Sequence, residues 1–150
     1  MSVTIHPFMS ESEFWAAALK STLKALETAL TNHGHARIGL AGGRTPRHLY
    51  ELLSKETLPW NQITWILLDE RYVPAEDEES NLRMIEHTLF KPAAIPEENR
   101  VSFDTSLTPL ETSNSMDKRL HFLEKFRVPL FDLLILGAGK DGHIASLFEG

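Results

Sequence analysis

The stretch Ile63-Thr64-Trp65-Ile66-Leu67-Leu68-Asp69-Glu70-Arg71 decides how the chain is read. Its apolar part is too short for a globular helix and lacks the alternation of a half-buried strand, so it reads as a strand covered on both faces. It then breaks abruptly into two carboxylates and a guanidinium. Toward the N-terminus, Ala36–Ala41 is a short strand of the same kind that runs into Gly42-Gly43. Thr45-Pro46 after it predicts an N-cap followed by proline at the first helical position, with Leu49, Leu52 and Leu53 on the apolar face. Earlier still, Ser10 and Glu13 form a capping-box pattern, and Leu19, Leu23, Leu26 and Leu30 recur at helical spacing, predicting a helix over 11–32 that ends before Gly34. Toward the C-terminus, the polar stretch 69–79 leads to Ser80, a cap for a helix carrying Leu82, Ile85 and Leu89. A proline-containing connection from Lys91 to Thr105 holds a short strand candidate at Val101-Ser102-Phe103. Met116, Leu120 and Leu123 mark a helix near 110–126, and Leu130–Leu136 is a second strongly apolar strand, broken by Gly137-Ala138-Gly139. Strands alternating with helices predict an α/β fold: a doubly wound, mostly parallel, Rossmann-like sheet with helices on both faces.

Composition narrows the function. The 150 residues suit one domain, and 15 Lys+Arg against 21 Asp+Glu give a formal charge of −6. That balance argues against sequence-independent binding to nucleic acid or to an anionic membrane. No apolar run approaches the roughly 18 residues of a membrane span. Met1–His6 shows no basic region followed by an apolar stretch, so no secretory signal is expected. With no cysteine, disulfides, thiolate ligands and a cysteine nucleophile are excluded, which fits a reducing cytoplasm.

Three unusual segments each follow a predicted strand directly. In an open parallel sheet ligands bind outside the carboxyl ends of the strands, so all three should open toward one edge. In Gly42-Gly43-Arg44-Thr45-Pro46, two glycines allow close backbone approach, a helix start offers free N–H groups, and Arg44 adds a phosphate-matching fork. The same residues equally describe a plain strand-to-helix turn with a surface arginine. In Asp69-Glu70-Arg71-Tyr72-Val73-Pro74, Asp69 can orient a hydroxyl or act as a base, and Arg71 can hold phosphate or a developing oxyanion. Alternatively Asp69 caps a turn and Arg71 pairs with Glu70 or the acidic stretch 76–79, itself read as a solvated loop rather than a metal site. In Gly137-Ala138-Gly139-Lys140-Asp141-Gly142-His143, a histidine suited to general-base chemistry lies two residues from a carboxylate. The alternative there is a capping Asp141 and an ordinary loop His143. Gly137, Gly139 and Gly142 match G-x-G-x-x-G, but so late that the acidic residue of a dinucleotide site has no place to follow. Ser146 is not in a nucleophile-elbow pattern, no Walker motif occurs, and His33-x-His35 is a poor metal signature.

Together and in this order, the segments resemble the glucosamine-6-phosphate isomerase/6-phosphogluconolactonase family. Its Gly-Gly-x-Thr-Pro turn is met by Gly42 to Pro46. Its Asp-Glu-Arg-x-Val-Pro segment with a following Ser-Asn is met by Asp69 to Pro74 and Ser80-Asn81. Its Leu-Gly-x-Gly-x-Asp-Gly-His-x-Ala-Ser-Leu-Phe run is met by Leu136 to Phe148. Arg71, where deaminases carry Tyr, and Ser146-Leu147-Phe148, where they carry Phe-Asn-Glu, resemble the lactonase branch. Glu149 stands where the family often has Pro. The resemblance implies hydrolysis of 6-phospho-D-glucono-1,5-lactone to 6-phosphogluconate in the pentose phosphate pathway, on a small sugar-phosphate substrate, without metal or cofactor. It implies that His143 activates water, that Asp141 orients His143, and that Arg71 serves the oxyanion or the phosphate. Gly42, Gly43, Arg44, Thr45 and Asp69 would hold phosphate or hydroxyls, with Gly137 and Gly139 permitting close contact. The rival implications are a deaminase/isomerase with Asp69 as base and a truncated, non-catalytic sugar-phosphate-binding module. Family members are longer, so 1–150 is expected to be a single α/β domain, the N-terminal part of a longer family domain with its C-terminal side missing.

Overall fold

The computed structural model describes residues 3–126, 129–138 and 144. Helix α1 (Glu11–His33) leads to β1 (Ala36–Leu40), α2 (Arg44–Leu53), β2 (Ile63–Leu67) and α3 (Asn81–Ile85). A wide π-turn, Glu86–Phe90, prolongs α3, and β3 (Arg100–Val101), α4 (Pro109–Glu124) and β4 (Leu133–Ile135) follow. Local chemistry sets the helix starts. Ser10 Oγ accepts from the Glu13 amide at 3.2 Å, and Ser80 Oγ from the Arg83 amide at 3.1 Å. Thr108 and Glu111 form a full capping box before Pro109.

Among the described residues the strands form one sheet in the order β3-β2-β1-β4, and every pairing is parallel. Side chains alternate across it. Ala36, Ile38 and Leu40 of β1 and Ile63, Trp65 and Leu67 of β2 meet α1, α2, α3 and the π-turn through Leu26, Leu49, Tyr50, Leu53, Ile85 and Phe90. On the opposite face Ile66 and Val101 meet Met116 of α4, with Leu120 and Leu123 packed alongside. Arg37, buried on β1, ties that second layer down: its Nη1 donates to the Leu123 and Pro129 carbonyls at 3.0 and 3.3 Å. No helix among the described residues is long and apolar enough to cross a membrane.

The expected doubly wound sheet is present, with two local corrections. Helix α2 begins at Arg44 with Gly43 as its N-cap and no side-chain cap, so Thr45 does not cap it. Pro46 is accommodated because the first-turn amides have no intrahelical partner in any case. The strand expected over Leu130–Leu136 is confined to Leu133–Ile135 and is not covered on both faces: Leu134 and Leu136 are 44% and 49% exposed. Among the described residues β4 is an edge strand, paired with β1 on one side.

Candidate active site

From β1 the chain steps to β2 and then β3 on one side. Helix α4 then carries it back across to the far side of β1, where β4 pairs. The direction of winding therefore reverses between β1 and β4, and the crevice at the carboxyl ends of these two strands is where such sheets bind ligands. Gly42-Gly43 leaves β1 there, and Gly137-Ala138 leaves β4.

The first loop is built to bring backbone close. A Cβ on Gly42 would lie 1.9 Å from Asn81 Oδ1, so only glycine fits beneath that side chain. Gly43 has φ +93° and ψ 178°, a conformation almost confined to glycine. Nearly two turns into α2, the buried Tyr50 hydroxyl donates to the Ala41 carbonyl at 2.8 Å and pins the loop to the sheet end. Burial pushes the Tyr50 phenol well above its ordinary pKa, so it remains the donor. No acidic residue occupies the first turn of α2, which leaves its positive end facing the crevice with Arg44 and Thr45.

The second loop separates its two carboxylates. Glu70 turns inward and accepts the amides of Arg71, Asn81 and Leu82, each at 2.7 Å, and the Ser80 hydroxyl at 3.2 Å. It closes the start of α3 and takes no position in the crevice. Asp69 faces the crevice, and the Asn81 side-chain Nδ2 donates to its backbone oxygen at 3.2 Å and its Oδ1 at 3.3 Å. Arg71 is exposed, with Nη1 3.8 Å from Glu79 Oε2, the pairing with the acidic stretch that its sequence allowed.

These loops and the end of β4 enclose a cavity of about 180 Å³. Gly42, Gly43, Arg44, Thr45, Asp69, Arg71 and Gly137 all line it. Seven residues proposed from three distant parts of the sequence thus meet at one place. Gly139, Asp141 and His143 lie outside the described residues, although an antiparallel bridge joins Ala138, on the cavity wall, to Ile144. Asn81 also lines the cavity. The sequence named it as the second residue of the Ser80-Asn81 step in the family pattern and gave it no role in the site; it is 7% exposed and touches both the first loop and the second. The signal that could have singled it out is a polar residue placed where a helix start meets two strand-end loops. Among the described residues no group of three or more His, Cys, Asp or Glu side chains could hold a metal ion.

The family model described as glucosamine-6-phosphate isomerases/6-phosphogluconolactonase matches residues 9–150. A 6-phosphogluconolactonase from Thermotoga maritima is 40% identical over 124 residues, 83% of this chain and 54% of that protein. The crystal structure of the 6-phosphogluconolactonase from T. maritima superposes with a TM-score of 0.83 at 37% identity, covering 90% of this chain and 60% of that one. The 6-phosphogluconolactonase structure from Trypanosoma brucei gives a TM-score of 0.85 at 31% identity, with 99% of this chain and 64% of that one covered. The chain thus spans less than two thirds of the length of each of these relatives.

Proposed function

The chain belongs to the glucosamine-6-phosphate isomerase/6-phosphogluconolactonase family, and on that premise we propose that it carries the reaction face of a hydrolase acting on 6-phospho-D-glucono-1,5-lactone. The observation that carries the reading is the meeting of Gly42, Gly43, Arg44 and Thr45 with Asp69, Arg71 and Gly137 around one cavity at the switch point of the sheet. A lactone is an activated ester, so hydrolysis needs a positioned water, a base and stabilisation of the oxyanion. His143 takes a proton from water as the water oxygen bonds to the carbonyl carbon. The tetrahedral oxyanion forms, and Arg71 stabilises it or holds the phosphate. The bond from carbon to ring oxygen then breaks, and the proton passes from His143 to that oxygen, leaving a hydroxyl and a carboxylic acid that releases its remaining proton to solvent as the carboxylate. Asp141 orients His143. The first loop, with the positive end of α2, Arg44 and Thr45, holds phosphate or sugar hydroxyls, and Asp69, steadied by Asn81, accepts from a hydroxyl. The bridge between Ala138 and Ile144 supports this reading, because it draws the residue next to His143 toward the cavity wall.

The test follows 6-phosphogluconate formation above the spontaneous background for the chain and for His143→Ala, with folding checked by circular dichroism and glucosamine 6-phosphate as the parallel substrate. Loss of the general base lowers the rate about 10²–10⁴-fold. Activity also falls as pH drops through the ordinary imidazole range near about 6.5. Full activity in a folded His143→Ala protein removes the mechanism. Turnover of glucosamine 6-phosphate alone moves the site to the isomerase branch, and binding of 6-phosphogluconate without turnover of either substrate makes the chain a binding module.

A further inference from the structure

Beside the strand-end cavity lies a larger one of about 800 Å³, between the first turns of α2 and the start of α3. The two share Gly43, Arg44, Arg71 and Asn81 at their common mouth. From there the larger cleft runs outward past Arg47 of α2 and Arg83 of α3 to His87. A chain of net charge −6 therefore gathers four arginines and a histidine around one opening. The proposed hydrolysis gives Arg47, Arg83 and His87 no role.

We propose that this cleft is a second anion site, which takes the phosphoryl group of a phosphorylated small molecule between Arg47 and Arg83. Three observations support it. First, the arginines of the cleft are weakly engaged. Arg83 is 4.0 Å from Glu78 and Arg71 is 3.8 Å from Glu79, and these carboxylates are 92% and 73% exposed. Exposed pairs at such distances contribute little, and a phosphate of nearly two charges, with three acceptor oxygens, displaces them. Second, Arg44 makes no hydrogen bond or ion pair among the described residues, and Arg47 is bound only through Nε, to Glu51 at 3.1 Å, which leaves its outer donors for a ligand. Third, the volume lies in the range of about 300–1,000 Å³ found for small-molecule sites and far exceeds an inorganic ion. Met84 and Thr88 on the wall give the non-phosphate part an apolar and hydroxyl surface. The carboxylates Glu78 and Glu79 act as internal counter-anions that hold the cleft until a ligand replaces them.

Calorimetric titration of pyrophosphate, AMP and 6-phosphogluconate into the native chain, Arg83→Gln and Arg47→Gln tests this. Pyrophosphate is expected to bind the native chain, more weakly as ionic strength rises. Its Kd is expected to rise about tenfold or more in each variant, as one charge-assisted contact is lost. The 6-phosphogluconate arm identifies the natural ligand class. Two equivalents falling to one in the variants mean a second sugar phosphate, whereas one unchanged equivalent with AMP binding lost in the variants means a nucleotide. Native-like circular dichroism is required of both variants, and Arg83→Lys should recover part of the affinity. Equal affinities in native and variant proteins, or no binding of pyrophosphate, AMP or a second sugar phosphate, overturns the proposal. If 6-phosphogluconate does not bind but pyrophosphate binds in an Arg83-dependent way, the second site stands and the hydrolase reading falls.

Discussion

Adding a methyl group to Gly42 and adding one to Gly43 disturb the molecule for different reasons. At Gly42 the new Cβ would overlap Asn81, which must move and release Asp69. At Gly43 there is open space but a φ of +93°, so the penalty is conformational strain of about 1–3 kcal/mol. Gly42→Ala is therefore expected to abolish most 6-phosphogluconate binding, while Gly43→Ala lowers the urea midpoint and keeps measurable binding. Equal loss of binding in two equally stable variants would refute the distinction. The glycine pair was legible in the sequence as a close-approach turn, but which glycine serves space and which serves φ depends on Asn81, far along the chain. His35 shows a second kind of residue-scale effect, away from the site. Its Nε2 lies 2.8 Å from Thr64 Oγ1, and burial, then the Arg37 cation, lower its pKa, with Asp132 opposing them. The folded chain thus binds this proton less readily than the unfolded one. The stability from a neutral His35 is complete above about pH 6.5 and is lost as pH falls toward the folded-state value. The urea midpoint of the native chain should drop more steeply between about pH 7.5 and 5.5 than that of His35→Asn. Parallel slopes would exclude His35 as the source.

Helix α3 is held by a residue outside it. The Glu70 carboxylate accepts three amides at 2.7 Å, two of them in the first turn of α3, where a negative charge also meets the helix dipole. Glu70→Gln preserves the shape but removes the charge and half the acceptor capacity, so a loss of about 1–3 kcal/mol in unfolding free energy is expected. Because Asn81 is the first residue of α3 and lines the cavity, the proposed lactone turnover should fall as well, even at a temperature where the variant is fully folded. A variant as stable and as active as the native chain would show that Ser80 alone holds the helix start. Local signals made the elements legible: Ser10 and Ser80 cap the helices their positions predict, since a cap and its amide partner lie within one turn. The role of Glu70 was not legible, because its partners at the start of α3, Ser80, Asn81 and Leu82, lie ten or more residues away across a polar loop. Helix α2 was misplaced by its Thr-Pro pair because a glycine of positive φ started the helix earlier.

Apolar runs broken by glycine or carboxylate revealed a parallel sheet and which loops share its edge, because strand ends in such a sheet point one way. The strand order was not readable in the same way. That β4 crosses to the far side of β1 depends on contacts no local pattern encodes, such as Arg37 of β1 bonding the carbonyls of Leu123 and Pro129 and its amide bonding the Asp132 carboxylate. The order has a dynamic consequence. Strand β1 is buried throughout and paired on both sides, whereas β4 is paired, among the described residues, only with β1 and leaves Leu134 and Leu136 half exposed. In an edge strand alternate amides point away from the sheet and lack a ladder partner. Hydrogen exchange should therefore be slowest at Ile38–Leu40 and in β2, close to the limit of global unfolding, and faster at Leu133–Ile135 through local opening. Exchange at Leu133–Ile135 as slow as at β1 would contradict the edge position of β4, whereas the switch point, set by β4 pairing on the opposite side of β1 from β2, would stand.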